Sequence, residues 1–161
     1  MRPSFFHALL LAACAGLSVP VLAAGTVEVR FKPVNELSDV GRGIDRERNV
    51  QVLTDLFRSF AAQLPDGRTL SVEVLDVNLA GEVRYMRMGN EVRVLRGAAD
   101  WPTLDLRWTL SADGRTLASG EDRLADMTYL QRDAGLSSRQ TLPYEARMVQ
   151  RWFGERVATV R

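Results

Sequence analysis

Residues 44–79 read IDRERNVQVLTDLFRSFAAQLPDGRTLSVEVLDVNL, and the change of period inside this stretch decides the fold. Up to Leu64 the apolar side chains recur at helical spacing. Val50, Leu53, Phe57, Phe60, Ala61 and Leu64 form one stripe, while Arg46, Arg48, Gln51, Asp55 and Arg58 lie mostly off it. The spacing predicts a helix over 44–64. Pro65-Asp66-Gly67 stops it, because proline cannot extend a helix and glycine tolerates the positive φ of a turn. From Thr69 the period falls to two, the signature of a strand with one dry face. Leu70, Val72 and Val74 point one way and Leu75, Val77 and Leu79 the other, so a β-bulge is expected near Val74-Leu75.

The flanking segments extend this pattern. Upstream, Val27, Val29 and Phe31 alternate with Glu28 and Arg30, which predicts a strand over 26–31, closed by Lys32-Pro33. Downstream, Leu104, Leu106, Trp108 and Leu110 alternate with polar residues, and Asp113-Gly114 signals a hairpin into a further strand over 115–124. Glu82 to Trp101 is the least organised region, read as a loop with a short strand at 92–95. Leu136 to Gln140 reads as a polar linker, and Thr141-Leu142-Pro143 opens a last helix with Ala146, Val149, Trp152 and Phe153 as its stripe.

The order is β-α-β-β-β-α. It implies an α+β two-layer sandwich, a mainly antiparallel sheet of about four strands with two helices on one face. The opposite face, carrying Glu28, Arg30, Ser71, Glu73, Asp105, Arg107 and Thr109, should meet water or a partner.

Residues 1–23 read as a secretory signal peptide, with Arg2 as the basic start, an almost uncharged stretch from Phe5 to Leu22, and small residues around Ala23 for cleavage. Residues 24–161 then form a single α+β domain, exported to the periplasm. Leu11-Ala12-Ala13-Cys14 also matches a lipobox, so a lipid-anchored outer-membrane lipoprotein is the alternative, and a membrane enters only if Cys14 is lipidated. Cys14 and His7 are the only cysteine and histidine, and both precede the cleavage point. The exported domain therefore lacks thiol nucleophiles, Ser-His-Asp triads, disulfides, and the His and Cys ligands of zinc, copper and haem. Lys32 is the only lysine, and the arginines nearly balance the acids, so nothing tracks a phosphate backbone and no nucleic acid is expected.

Val27-Glu28-Val29-Arg30-Phe31, Asp45-Arg46-Glu47-Arg48-Asn49, the run from Val72 to Gly81, the run from Leu124 to Leu130, Tyr144-Glu145-Ala146-Arg147-Met148 and Trp152-Phe153 fall in an order that resembles domain-of-unknown-function family 3016. These are small exported proteobacterial proteins, and the likeness runs from about Thr26 to Arg156. What the resemblance implies is an envelope location. That family carries no assigned activity, so no catalytic residue follows from it.

The candidate chemistry is sparse. Asp45 and Glu47 suit the positive end of a helix dipole, which leaves Arg46 and Arg48 for surface pairing or contact with an anion or partner. Glu121, Asp122 and Asp126 are the densest carboxylates and could serve glycoside hydrolysis or hold calcium, but they lack the ligand pattern of a calcium loop, and a solvated strand end paired to Arg123 or Arg132 is the preferred account. Asp126 and Tyr129 read as a structural pair, the hydroxyl finding its acceptor. No serine-hydrolase or nucleotide motif is present, and neither a cofactor nor a metal is expected. Arg84, Tyr85, Met86, Arg87 and Met88 bring apolar side chains and arginines together in a loop, and these five are the expected binding residues. The reading is a non-enzymatic binding or accessory module of the cell envelope. A carboxylate-based hydrolase of a wall glycan is its competitor, and the expected partner is an envelope or other periplasmic protein.

Overall fold

A computed structural model describes residues 25–86, 91–97, 99–131 and 141–161. The expected signal peptide with His7 and Cys14, the linker over 136–140, and Arg87, Met88 and Arg132 lie outside the described residues. The elements are β1 (Thr26–Phe31), α1 (Gly43–Ser59), β2 (Arg68–Asn78), β3 (Glu82–Tyr85), β4 (Glu91–Val94), β5 (Thr103–Ala112), β6 (Arg115–Ala125) and α2 (Pro143–Trp152). No described helix is long and apolar enough to cross a membrane.

The main sheet has the order β1-β2-β5-β6, with β1 parallel to β2 and the other two pairings antiparallel. This is the expected α+β layering, with one hairpin more: β3 and β4 form a separate two-stranded sheet. The segment read as a loop around Tyr85 is thus partly a strand. At four residues each, these strands are too short for an alternating pattern to stand out from chance.

Local chemistry explains the rest. The register between β2 and β5 slips between Val74 and Asp76, so the expected bulge falls on Leu75. Asp113 and Gly114 both have positive φ, 50° and 74°, as the two-residue turn between twisted strands requires. Pro143 takes the first helical position of α2, where its missing N–H costs nothing. Leu142 before it sits in the left-handed region at φ 55°.

One sheet face is dry. Leu70, Val72, Val74, Leu104, Leu106, Trp108 and Leu110 are buried there against Leu53, Phe57 and Phe60 from the first helical segment and Val149, Trp152 and Phe153 from the second. The rings interlock: Phe60 and Phe153 stack at 4.2 Å, and Trp152 meets Phe57 and Trp108 edge-on at 6.0 and 6.1 Å. On the wet face, Arg30, Glu73, Arg107 and Glu121 stand in one row across four strands. Arg107 reaches both Glu73 and Glu121 at 2.7 Å, and these two carboxylates hold its guanidinium above its ordinary pKa.

Asp122 shows why period alone misjudges a carboxylate. It occupies the inward face of β6, opposite Leu106, and accepts from the indole N–H groups of Trp108 (2.7 Å) and Trp152 (3.0 Å) and from Arg156 (3.3 and 3.0 Å). Burial pushes its carboxyl up, but the donors Trp152, Arg156 and Trp108 outweigh that and hold it below the ordinary value. Glu121 pairs with Arg107 on the other face, and Asp126 with Arg147, so the three acids never converge.

Candidate functional site

The polar side chains gather at one end of the sheet, where β1 and β2 finish and β5 begins. After the bulge, Asp76 accepts from the backbone N–H and hydroxyl of Ser38, both at 2.7 Å. Asp39 then runs alongside the end of β2, donating its N–H to Val77 and accepting from Leu79 N–H. This backbone pairing delivers Gly41 and Arg42 to the sheet end, where α1 starts.

Leu79-Ala80-Gly81 turns the chain into the β3–β4 hairpin. Gly81 has φ 83°, and a Cβ there would come within 2.7 Å of the Val94 carbonyl oxygen, so the turn needs glycine twice over. Arg93 ties the hairpin down. It stands opposite Val83 on β3, and its guanidinium donates to the carbonyls of Ala80 (3.3 Å) and Gly81 (3.0 Å) and to both oxygens of Asp39 (3.1 and 3.0 Å). From beneath, Glu145 of α2 accepts the Ala80 N–H at 2.8 Å. Glu145 is 2% exposed. Burial pushes its carboxyl up, with Asp39 adding to the push and the Ala80 N–H and Arg93 opposing it.

Asp100 closes the back. It accepts from Tyr129 hydroxyl (3.0 Å) and Arg96 N–H (2.6 Å), and its own carbonyl takes the Gly81 N–H. Burial raises its carboxyl, but the bonds from Arg96 and Tyr129 prevail and hold it low. The partner of Tyr129 is therefore Asp100, not the expected Asp126, because the Tyr129 ring crosses toward the hairpin. Asp126 instead caps Thr128 and accepts from Arg147 at 3.3 Å.

Between the hairpin and the 37–46 segment lies a cleft of about 540 Å³, walled by Leu37, Asp39, Arg42, Arg46, Val83 and Asp100 among others. Tyr85, 61% exposed, lies two positions beyond the lining residue Val83 on β3. The Arg42 guanidinium lies 5.7 Å from the Tyr85 ring centre and donates to its hydroxyl. Arg46 turns back, its Nε donating to the Gly41 carbonyl at 3.2 Å, whereas Arg48 points away and pairs with Asp45 at 3.1 Å.

Of the expected binding residues, Tyr85 thus meets the cleft through the lining residue Arg42. Met86 follows it, 56% exposed, while Arg84 is exposed on the hairpin's other face, beside Val92. Arg87 and Met88 lie outside the described residues. Sequence places Arg93 among the arginines near the expected binding loop, but it does not mark Asp39, Asp100 or Glu145 as site residues. One signal existed for Glu145: with Val149 and Trp152 it falls at i, i+4, i+7 on the buried stripe of its helix, where an acid needs a partner.

Comparison with known proteins adds a family and a distant likeness to a solved structure. The model of a family described as a protein of unknown function, DUF3016, matches residues 25–155. The solved structure of the hypothetical protein CT253 from Chlamydia trachomatis is 13% identical, covers 84% of this chain and 95% of its own, and superposes with a TM-score of 0.37. No curated protein matches the chain.

Proposed function

We propose, for a chain that belongs to the DUF3016 family of proteins of unknown function, that it is exported to the cell envelope and works there by binding a partner at the sheet-end cleft. The observation that carries this reading is the cleft mouth itself. Arg42, which lines the cleft, lies over Tyr85, and each has an exposed apolar neighbour in sequence: Met86 directly after Tyr85, and Ile44, 76% exposed, two positions after Arg42. Exposed aromatic, methionine and arginine side chains at a concave rim are the composition of a binding surface.

The wet sheet face suits that role less well. Its depression of about 330 Å³ is lined by Glu28, Arg30, Glu73 and Arg107 among others, and the last two already satisfy each other. The hydrolase reading needs a carboxyl with a raised pKa facing an ionised one across a cleft. Glu145 is pushed up but lies buried behind Ala80, outside the cleft wall; Asp100 lines the wall but is held low. This distribution supports binding over hydrolysis.

The test is photo-crosslinking in cells from a probe amino acid at position 86, with a second probe at position 30 on the wet face. Adducts from position 86 that vanish with Tyr85→Ser are expected. Adducts from position 30 alone would move the site to the sheet face, and none from either would remove the binding reading. Intact mass of the same protein should show a chain starting after Ala23; a start at an acylated Cys14 would make it a lipoprotein instead.

A further inference from the structure

We infer that the cleft takes a phosphate group held by Arg42 and Arg46; the inference rests on the binding reading above and names the chemistry of the ligand. The argument is a charge inventory of the cleft. Its acids already have donors. Asp39 holds Arg93 through two bonds and the Gly41 N–H at 3.0 Å, Glu82 pairs with Arg96 at 3.5 Å, and Asp100 is engaged by Tyr129 and a backbone N–H. Arg42 and Arg46 both line the cleft, and among the described residues neither forms an ion pair.

Their remaining donors define the ligand. Arg46 uses Nε on the Gly41 carbonyl, which leaves its two terminal nitrogens; Arg42 spends one terminal nitrogen on the Tyr85 hydroxyl. Because that hydroxyl accepts from Arg42, its own proton is free to be donated. Two guanidinium forks and a phenol exceed what one carboxylate can accept, since a carboxylate has two oxygens and matches one fork. A phosphate monoester presents three oxygens and nearly two charges at neutral pH, and satisfies both forks and the phenol together. A cleft of about 540 Å³ also has room for the group that bears the phosphate. The phosphate can belong to a soluble metabolite or to a lipid headgroup, and in the second case the exposed Ile44 and Met86, close in sequence to Arg42 and Tyr85, are the apolar side chains available to the acyl region.

The experiment separates these sources. The purified full chain is titrated calorimetrically with glycerol 3-phosphate and with acetate, and floated with phosphatidylcholine vesicles with or without phosphatidic acid. The expected result is saturable binding of glycerol 3-phosphate, absent for acetate, and weakened at least about tenfold by each of Arg42→Gln and Arg46→Gln. Heat without flotation assigns the phosphate to a soluble ligand. Flotation that needs phosphatidic acid assigns it to a headgroup, and both outcomes support the inference.

No binding in any phosphate arm, equal binding of acetate, or binding that survives the double variant overturns it. Tyr85→Phe, which removes only a hydroxyl, guards against a folding artefact: a variant with the parent's melting temperature should still bind several-fold more weakly. If the phosphate arms stay empty while crosslinking from position 86 persists, this inference falls and the binding reading stands.

Discussion

Replacing Asp122 with alanine tests the fold at the point where two layers share one carboxylate. Asp122 on β6 accepts the indole N–H of Trp108 from the sheet and of Trp152 from α2, which are 4% and 3% exposed. In Asp122→Ala both donors lose their acceptor inside the core, at about 1–3 kcal/mol for each buried group left unsatisfied, hence about 2–6 kcal/mol together. Loss of the Arg156 pair adds little, because that side chain is 55% exposed and returns to water. Asp122→Asn keeps one acceptor oxygen and should cost about half as much. The folded-state pKa of Asp122 is depressed, so its ionised form stabilises the fold above its ordinary value near 3.8, and that contribution is lost as pH falls through the depressed value. Urea melts followed by tryptophan fluorescence suit the test, since two of the three tryptophans bond this carboxylate. The gap between parent and Asp122→Ala should be widest near pH 7 and narrow below pH 3.8. A loss under about 0.5 kcal/mol at pH 7 would refute the reasoning, as it would show that water reaches both indoles.

Three further outcomes are expected. Glu145→Gln keeps an acceptor for Ala80 N–H but cannot ionise; because the folded pKa of Glu145 is raised above 4.5, the parent loses stability as pH rises through that value, so the variant should melt higher than the parent at pH 8 and lose the advantage at pH 4, by scanning calorimetry. Gly81→Ala forces a side chain into φ 83° against Val94 and should speed amide exchange in β3 and β4 before it lowers the global melting point, which hydrogen-exchange mass spectrometry reads directly. Phe57→Ala empties a fully buried site between Phe60 and Trp152 and should cost about 3–5 kcal/mol in urea.

The layers of the fold were legible because they rest on local periodicity. Leu53, Phe57 and Phe60 repeat at helical spacing, Leu104 to Leu110 at strand spacing, and Asp113-Gly114 carries its turn in its own φ preferences. The site was less legible because its contacts are remote in sequence. Asp39 and Arg93 are 54 residues apart and Ala80 and Glu145 are 65 apart, so no window along the chain places them together. Tyr85 was singled out by composition alone. Its partner, Arg42, stands 43 residues earlier, in the polar loop that Gly41 and Gly43 mark.

The β2 bulge joins the two kinds of information. A straight β2 would keep one phase, with Asp76 turned to the core side once Val74 is buried there. The extra residue at Leu75 reverses the phase, so Val77 and Leu79 enter the core while Asp76 turns outward to receive Ser38. That bond and the pairing of Asp39 with the end of β2 hold the 37–41 segment against the sheet, and this placement delivers Arg42 and Arg46 to the cleft. The doubled apolar phase in Val72-Glu73-Val74-Leu75-Asp76-Val77 is therefore the local mark of a site whose other members lie far along the chain.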